Sequence, residues 1–384
     1  MFRLMTYPLN IMVLLLISFV LSLLPYSSFY SLPTEKDFLN IVLIVVFYFF
    51  VLLFTFDKKR IYIPSTGWGG KIYKSLLILG LVGFFLEFAV FGVPLFSTGG
   101  RASAQVLPVL HVVFYSAMIC TVLVSSLYNS PKIMLICLLM AVAISVLTLS
   151  RQMAMISFVI VIISTIFRYK FTLKMYVYFF IVLVAIGVFF GFLGNIRQQL
   201  AGDYKNDYII TIGGASREGA SIGNYLYWLW LYVTSPMYNL FLNLNNYDQL
   251  GSICSSYGAL DNCSKSYILS VLMPNTLSKY LGGEEFAIDL VVPHLNTGTG
   301  YAIAGRLYGI MGVFLQLTIQ FLYYIIGYLF TPRNVRAAYV VLFSAFSIFM
   351  IFDNLYTRGE FFFCFVLIVL SGLIHGRSKN IDNT

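Results

Sequence analysis

Long apolar segments separated by short polar ones recur along almost the whole chain. Most of them approach the roughly 20 residues that a helix needs to cross about 30 Å of hydrocarbon. They do not alternate apolar with polar residues as the strands of a membrane barrel would, so the backbone must satisfy its hydrogen bonds as helices. The pattern predicts an all-α polytopic membrane protein of about ten transmembrane helices, at residues 11–30, 39–56, 75–95, 106–127, 133–149, 153–167, 176–193, 307–330, 338–351 and 361–374.

Residues 194–306 break this rhythm, because they run for more than a hundred residues without an ordinary span. We therefore expect transmembrane helices 1–7 in residues 1–193, one large loop in 194–306, and helices 8–10 with a short tail in 307–384. Within the loop, the apolar run 225–242 is rich in Tyr and Trp and contains Pro236. This composition favours an interfacial or re-entrant helix. The alternative, a further span, would place 248–301 on the cytoplasmic side.

Composition and charge distribution agree with a membrane protein. The chain is 60% hydrophobic and only 10% charged, whereas a soluble domain keeps about 25% charged residues. The formal charge of +9 does not indicate nucleic acid, because the cations concentrate in alternate polar gaps that hold almost no acids. Cationic loops stay in the cytoplasm. Both termini are therefore expected to be cytoplasmic, and the loop 194–306 to lie on the outer face.

Cysteine usage leaves one question open. Cys120, Cys137 and Cys364 lie in predicted spans, where they serve as small apolar residues. Cys254 and Cys263 lie in the large loop, where an oxidising compartment would permit a disulfide. A pair of unlinked thiols is the alternative.

Six arginines lie on the predicted outer side, although Lys and Arg are usually concentrated in cytoplasmic loops. The six residues are Arg101, Arg151, Arg197, Arg217, Arg306 and Arg358. A guanidinium binds phosphate through two parallel hydrogen bonds, but it also pairs with loop carboxylates or extends to lipid headgroups. We expect ligand binding for Arg151, Arg197 and Arg306, which lie at helix ends, and pairing for Arg217 and Arg358.

Candidates for a general base are few. His294, in VVPHLNTGTG, is the one histidine in the predicted outer loops, and its side chain titrates in the range suited to such a role. Its rivals are the acids Glu284, Glu285, Asp289 and Asp353. Glu87 lies inside a predicted span, where a carboxylate is costly and is either functional or a structural partner. His111, in the next span, is expected to pack as a neutral side chain.

No motif for a nucleotide or a metal site is present, so we expect no cofactor and no metal. The Gly/Thr-rich stretch that includes Asn296 and Thr297 precedes a span and offers backbone donors that could approach a phosphate or a sugar closely.

Several short signatures resemble the Wzy-type polymerases of O-antigen and capsule repeat units. They are FGVPLFSTGG at the end of the third span, SRQ between the fifth and sixth, NIR after the seventh, and NTGTGYAIAGRLYGIMG after the long loop. One described family pattern, an Arg followed by Gly eleven positions later, is absent. Tyr208, Trp228 and Leu317 stand at that position after Arg197, Arg217 and Arg306.

The resemblance implies a GT-C-like membrane glycosyltransferase in the bacterial inner membrane. It would transfer a growing glycan from undecaprenyl pyrophosphate to a new lipid-linked repeat unit at the periplasmic face, without nucleotide sugar or metal. A chain-length regulator protein is a further expected partner. Two alternatives stay open from sequence, an O-antigen ligase and a lipid-linked oligosaccharide flippase.

The resemblance also implies roles for particular residues. Arg151, Arg197 and Arg306 would hold the donor pyrophosphate, and His294 or a nearby acid would deprotonate the acceptor hydroxyl. Further substrate contacts are expected from a second group, Arg101, Arg217, Arg358, Asn296 and Thr297.

Overall fold

The computed structural model describes residues 6–55, 68–96, 105–107, 109–168, 177, 181, 208–253, 260–283, 286–293, 295 and 297–381. Within these residues the protein is helical throughout, and the only β pairing is an isolated bridge between Ser27 and Ala215. The first six helices are α1 (Leu9–Ser22), α2 (Glu35–Thr55), α3 (Trp68–Phe91), α4 (Leu110–Tyr128), α5 (Pro131–Leu147) and α6 (Arg151–Arg168). The others are α7 (Tyr208–Ile212), α8 (Arg217–Ser221), α9 (Asn224–Leu250), α10 (Leu260–Tyr267), α11 (Asn275–Tyr280), α12 (Ala302–Phe330), α13 (Arg336–Phe349) and α14 (Gly359–Ile381).

Five helical segments are long and apolar enough to cross a membrane: Glu35–Phe54, Ile72–Phe96, Leu110–Tyr128, Arg151–Arg168 and Ala302–Phe330. Four shorter apolar helices, Leu9–Ser22, Pro131–Leu147, Arg336–Phe349 and Gly359–Ile374, coincide with other predicted spans. The predicted span 176–193 lies outside the described residues, apart from 177 and 181. The prediction of an all-helical membrane protein is therefore confirmed, while the count of ten spans stays a prediction.

The first predicted span is shorter than expected. It was predicted to run over 11–30, but α1 ends at Ser22. Pro25 explains the early end, because the ring of a proline disfavours helical backbone at the residue before it.

Helix α4 forms the centre of the described bundle. Fourteen of its nineteen residues are buried, and α3, α5, α6, α13 and α14 all pack against it. Two glycines bring α3 close to it. A Cβ at Gly83 would overlap the ring of Phe114, and a Cβ at Gly80 would overlap Met118.

Helix α9 contains the run 225–242 and extends it to 27 residues. It packs against α1 and α12. Two of its asparagines, one turn apart, bind the backbone of the segment before α12. The Asn239 side chain accepts from the Val291 amide at 3.0 Å and donates to the Thr297 carbonyl at 2.7 Å. Asn243 accepts from the Asp289 amide at 3.1 Å and donates to its carbonyl at 2.8 Å. Helix α9 thereby fixes the segment that carries Thr297.

Candidate functional site

Two neighbouring cavities open among the loops and helix ends. Cavity A, of about 390 Å³, lies between residues 270–303 and the turn that joins α13 to α14. Cavity B, of about 250 Å³, lies between the end of α3, the start of α4, the α5–α6 turn and the start of α14. Of the described residues that line them, only Arg358 lines both.

Cavity B shows that several connections lie at the same end of the bundle. Glu87 and Gly92 come from the end of α3, Thr148 from the α5–α6 turn, and Glu360 from the first turn of α14. The topology predicted from the sequence places all three of these connections on the outer face. The geometry therefore brings together residues that the sequence separates by more than two hundred positions.

A carboxylate and an imidazole are paired inside cavity B. The Nδ1 atom of His111 lies 2.9 Å from Oε2 and 3.1 Å from Oε1 of Glu87. The Glu87 side chain is only 5% exposed and that of His111 is 20% exposed. His111 packs in the bundle, and the structure adds a contact that the sequence analysis did not name: its ring binds an acid of the neighbouring helix.

The pairing determines what the other ring nitrogen can do. An ionised carboxylate only accepts hydrogen bonds, so a His111 ring that pairs with it donates from Nδ1. In the neutral form of such a ring, Nε2 is the acceptor. The Leu107 amide also donates to Oε1 of Glu87 at 3.2 Å. The ring of Phe84 meets His111 edge-on, with 5.8 Å between centroids. A histidine oriented by a carboxylate in this way can receive a proton at Nε2.

Arg358 stands between the two cavities. It follows the short 3₁₀ turn Leu355–Thr357, and its Nε and Nη2 atoms both contact Oδ2 of Asp353 at 2.9 Å. Its side chain remains 47% exposed. The expectation of pairing for Arg358 is thus met, yet the residue also faces both cavities, where a substrate charge could reach it.

Arg306, for which we expect ligand binding, is paired with a carboxylate in this structure. Its side chain is 10% exposed and its Nε donates to Oδ2 of Asp289 at 2.7 Å. Nη1 donates to the Gly251 carbonyl at 2.8 Å, and Asn246 also donates to Oδ2 of Asp289 at 2.9 Å. Arg306 lines neither cavity. In this structure it joins α12 to the end of α9, as a buried pair with a structural role does.

The other predicted site residues are distributed unevenly. Arg151 begins α6 between Ser150 and Gln152, which both line cavity B. Thr297 lines cavity A, and its hydroxyl lies 3.2 Å from that of Ser235. Arg217 is exposed in the short helix α8 and lines neither cavity.

Several predicted residues lie outside the described part of the chain. They are Arg101, Arg197, Glu284, Glu285, His294 and Asn296. Cys254 also lies outside it, whereas Cys263 is a buried free cysteine. Within the described segments, no three His, Cys, Asp or Glu side chains are grouped so that they could hold a metal ion.

Comparison with known proteins adds no relative: no protein-family model, no curated protein and no solved structure matches this chain.

Proposed function

We propose that this chain is a membrane glycosyltransferase that polymerises lipid-linked oligosaccharide repeat units. The growing glycan would leave undecaprenyl pyrophosphate and join the non-reducing end of a new lipid-linked repeat unit at the periplasmic face. The observation that carries the proposal is the Glu87–His111 pair in cavity B, with Arg358 between this cavity and the polar cavity A.

The reaction needs one proton acceptor and one stabilised leaving group. A hydroxyl of the acceptor sugar attacks the anomeric carbon of the donor, and its proton passes to Nε2 of His111. The bond between the anomeric carbon and the phosphate oxygen breaks, and the pyrophosphate keeps the electron pair. Glu87, at 2.9 Å from Nδ1, stabilises the imidazolium that forms.

Cationic side chains would hold the pyrophosphate as its charge develops. Arg358 and Arg151 are supported in this role by their positions at the wall and the edge of cavity B. Arg101 lies outside the described residues and stays a prediction as a substrate contact. Arg197 stays a prediction for the same role. Arg306 is instead proposed as a structural residue, because its guanidinium binds Asp289 and Gly251.

His294 remains the rival base. It lies two residues after Val292 and three before Thr297, the latter in the wall of cavity A. The two histidines make different predictions. If His111 is the base, His111→Ala lowers kcat by about 10²- to 10⁴-fold and His294→Ala keeps it near wild type. The reverse pattern returns the role to His294.

The cellular setting follows from the same proposal. The protein would lie in the bacterial inner membrane with both termini in the cytoplasm, and it would act on lipid-linked donor and acceptor glycans. A chain-length regulator would be a protein partner.

The test is the polysaccharide ladder of cells that lack this gene, with the gene restored as a control. The proposal predicts that lipid A-core carrying a single repeat unit accumulates. Bare lipid A-core, with polymer still on its lipid carrier, would instead indicate a ligase. Loss of both polymer and periplasmic repeat units would indicate a flippase, and an unchanged ladder would contradict all three.

A further inference from the structure

The wall of cavity A is polar and carries little net charge, because its charged side chains are two cations, Lys279 and Arg358, and one anion, Asp353. Hydroxyl and amide side chains dominate it: Ser270, Asn275, Ser278, Thr297, Thr299 and Asn354. Backbone approaches the space at Gly283, Gly298 and Gly300. Such a surface offers many hydrogen-bond donors and acceptors in several directions and little net charge.

Two buried oxygens in this wall have no hydrogen-bond partner among the described residues. They are Oγ1 of Thr299, a residue that is 4% exposed, and Oδ1 of Asn354, a residue that is 8% exposed. The amide nitrogen of Asn354 donates to the Val271 carbonyl at 2.9 Å, so the direction of its oxygen is fixed. Buried polar atoms are nearly always hydrogen-bonded in folded proteins. Both atoms belong to residues in the wall of cavity A, so a molecule there that offers hydrogen-bond donors would supply what they lack.

Few groups in the wall of cavity A carry charge: Lys279, Arg358 and the carboxylate of Asp353, which lies 2.9 Å from Arg358. Arg358 also lines cavity B, where the proposed function uses it for the pyrophosphate. The other polar groups of cavity A are uncharged and suit a neutral ligand. An acyl chain is disfavoured because it would leave the hydroxyls and amides unsatisfied.

A sugar fits both parts of the surface. Its hydroxyls would bind the polar groups, and the apolar faces of its ring would pack against Phe286, Ile288 and Phe352, which also line the cavity. We infer that cavity A is a binding site for the saccharide part of a lipid-linked substrate. That the saccharide comes from a lipid-linked substrate rests on the proposed function. Cavity A adjoins cavity B, which holds the Glu87–His111 pair, because Arg358 lines both.

The direct test measures saccharide binding without the reaction. The purified protein in lipid nanodiscs is mixed with lipid-free oligosaccharide, released by mild acid from the polysaccharide of cells that carry this gene. Saturation-transfer NMR then reports contact between protein and sugar. Wild type and Glu87→Gln are both expected to bind, because Glu87 does not line cavity A.

Two variants locate the binding. Ser270→Phe fills the cavity, and we expect the signal to disappear. Among the described residues the Ser270 hydroxyl bonds only to the Ser266 carbonyl, one turn earlier. Thr299→Val removes a hydroxyl without changing shape, and we expect about tenfold weaker binding. The matched control is Thr318→Val, on the exposed face of α12, which should bind like wild type.

The outcomes separate this inference from the proposed function. Transfer activity without oligosaccharide binding in wild type, or binding that survives Ser270→Phe, overturns the saccharide site and leaves the function intact. Binding that Ser270→Phe abolishes, in a protein without transfer activity, keeps the site and overturns the function. Displacement of the sugar by inorganic pyrophosphate in wild type would show that cavity A holds the pyrophosphate instead.

The same free oligosaccharide also shows whether cavity A binds the glycan of the acceptor or the glycan of the donor. If the site holds the acceptor glycan, the free oligosaccharide is itself extended when lipid-linked donor is present. If the site holds the donor glycan, the free oligosaccharide inhibits transfer and is recovered unchanged. Either result supports the saccharide site.

Discussion

Replacing Glu87 by Gln isolates the electrostatic part of the proposed mechanism. The amide keeps the size of the carboxylate and can still accept a hydrogen bond from Nδ1 of His111, but it carries no charge. At the observed 2.9 Å and an effective dielectric constant of about 20, the attraction between carboxylate and imidazolium is about 6 kcal/mol. If about half of the proton's charge has arrived in the transition state, about 3 kcal/mol is lost, which lowers kcat by roughly 100-fold.

The assay uses purified protein and undecaprenyl-pyrophosphate-linked repeat units, with products separated by chain length. Glu87→Gln is expected to lose roughly 100-fold in kcat, and His111→Ala between about 10²- and 10⁴-fold, the range for loss of a general base. The control is Glu218→Gln, an exposed acid of α8, which should retain wild-type activity. If Glu87→Gln and His111→Ala both keep kcat within threefold of wild type, the Glu87–His111 pair is not the base.

Three further variants test the arrangement around the site. Gly83→Ala should lower the unfolding free energy by about 1–3 kcal/mol and reduce transfer, because its methyl group meets Phe114 and separates α3 from α4; thermal melts that match wild type would contradict this. Arg306→Met should lower the unfolding free energy by about 2 kcal/mol while the folded protein keeps its kcat; an unchanged melt with activity lost more than 100-fold would instead make Arg306 a ligand residue. Arg358→Gln should lower kcat by about 10²- to 10³-fold without changing the melting temperature. The control is Arg333→Gln, at an exposed position in the α12–α13 turn, which should have wild-type activity. Equal effects of the two substitutions would refute a local role for Arg358.

The helices were predictable because their signal is local. Apolar length alone gave the segments at Glu35–Phe54, Leu110–Tyr128 and Arg151–Arg168. The exception at α1 is also local, since Pro25 lies close enough to end that helix at Ser22. For α9, apolar length alone was not enough: the helix continues beyond the run 225–242 to Leu250, and in this extension Asn243 and Asn246 bind Asp289.

The pairing of Glu87 with His111 carried a signal that could have been read. Glu87 lies near the end of one predicted span and His111 near the start of the next. Consecutive antiparallel helices bring such positions to similar depth, and an acid at that depth needs a partner. The sequence analysis allowed Glu87 a structural partner in another span but did not name His111 as that partner.

The sequence argument separated the arginines by position alone, favouring ligand binding for Arg306 and pairing for Arg358. The structure pairs each of them with a carboxylate, Asp289 for Arg306 and Asp353 for Arg358. What distinguishes them is tertiary: Asp289, seventeen positions before Arg306, is held by Asn243 and Asn246 within reach of its guanidinium. Arg358 instead lies where two cavities meet. Each cavity is lined by residues from widely separated parts of the chain, so no local pattern could predict it.

The most direct measurement of the central claim is chain elongation by the purified protein. Wild-type protein in nanodiscs is given only undecaprenyl-pyrophosphate-linked repeat units, without nucleotide sugar. The account predicts glycans of two or more repeat units on the lipid carrier, with one undecaprenyl pyrophosphate released for each bond formed. Intact repeat units and no released carrier, from a protein that is folded by its thermal melt, would contradict it.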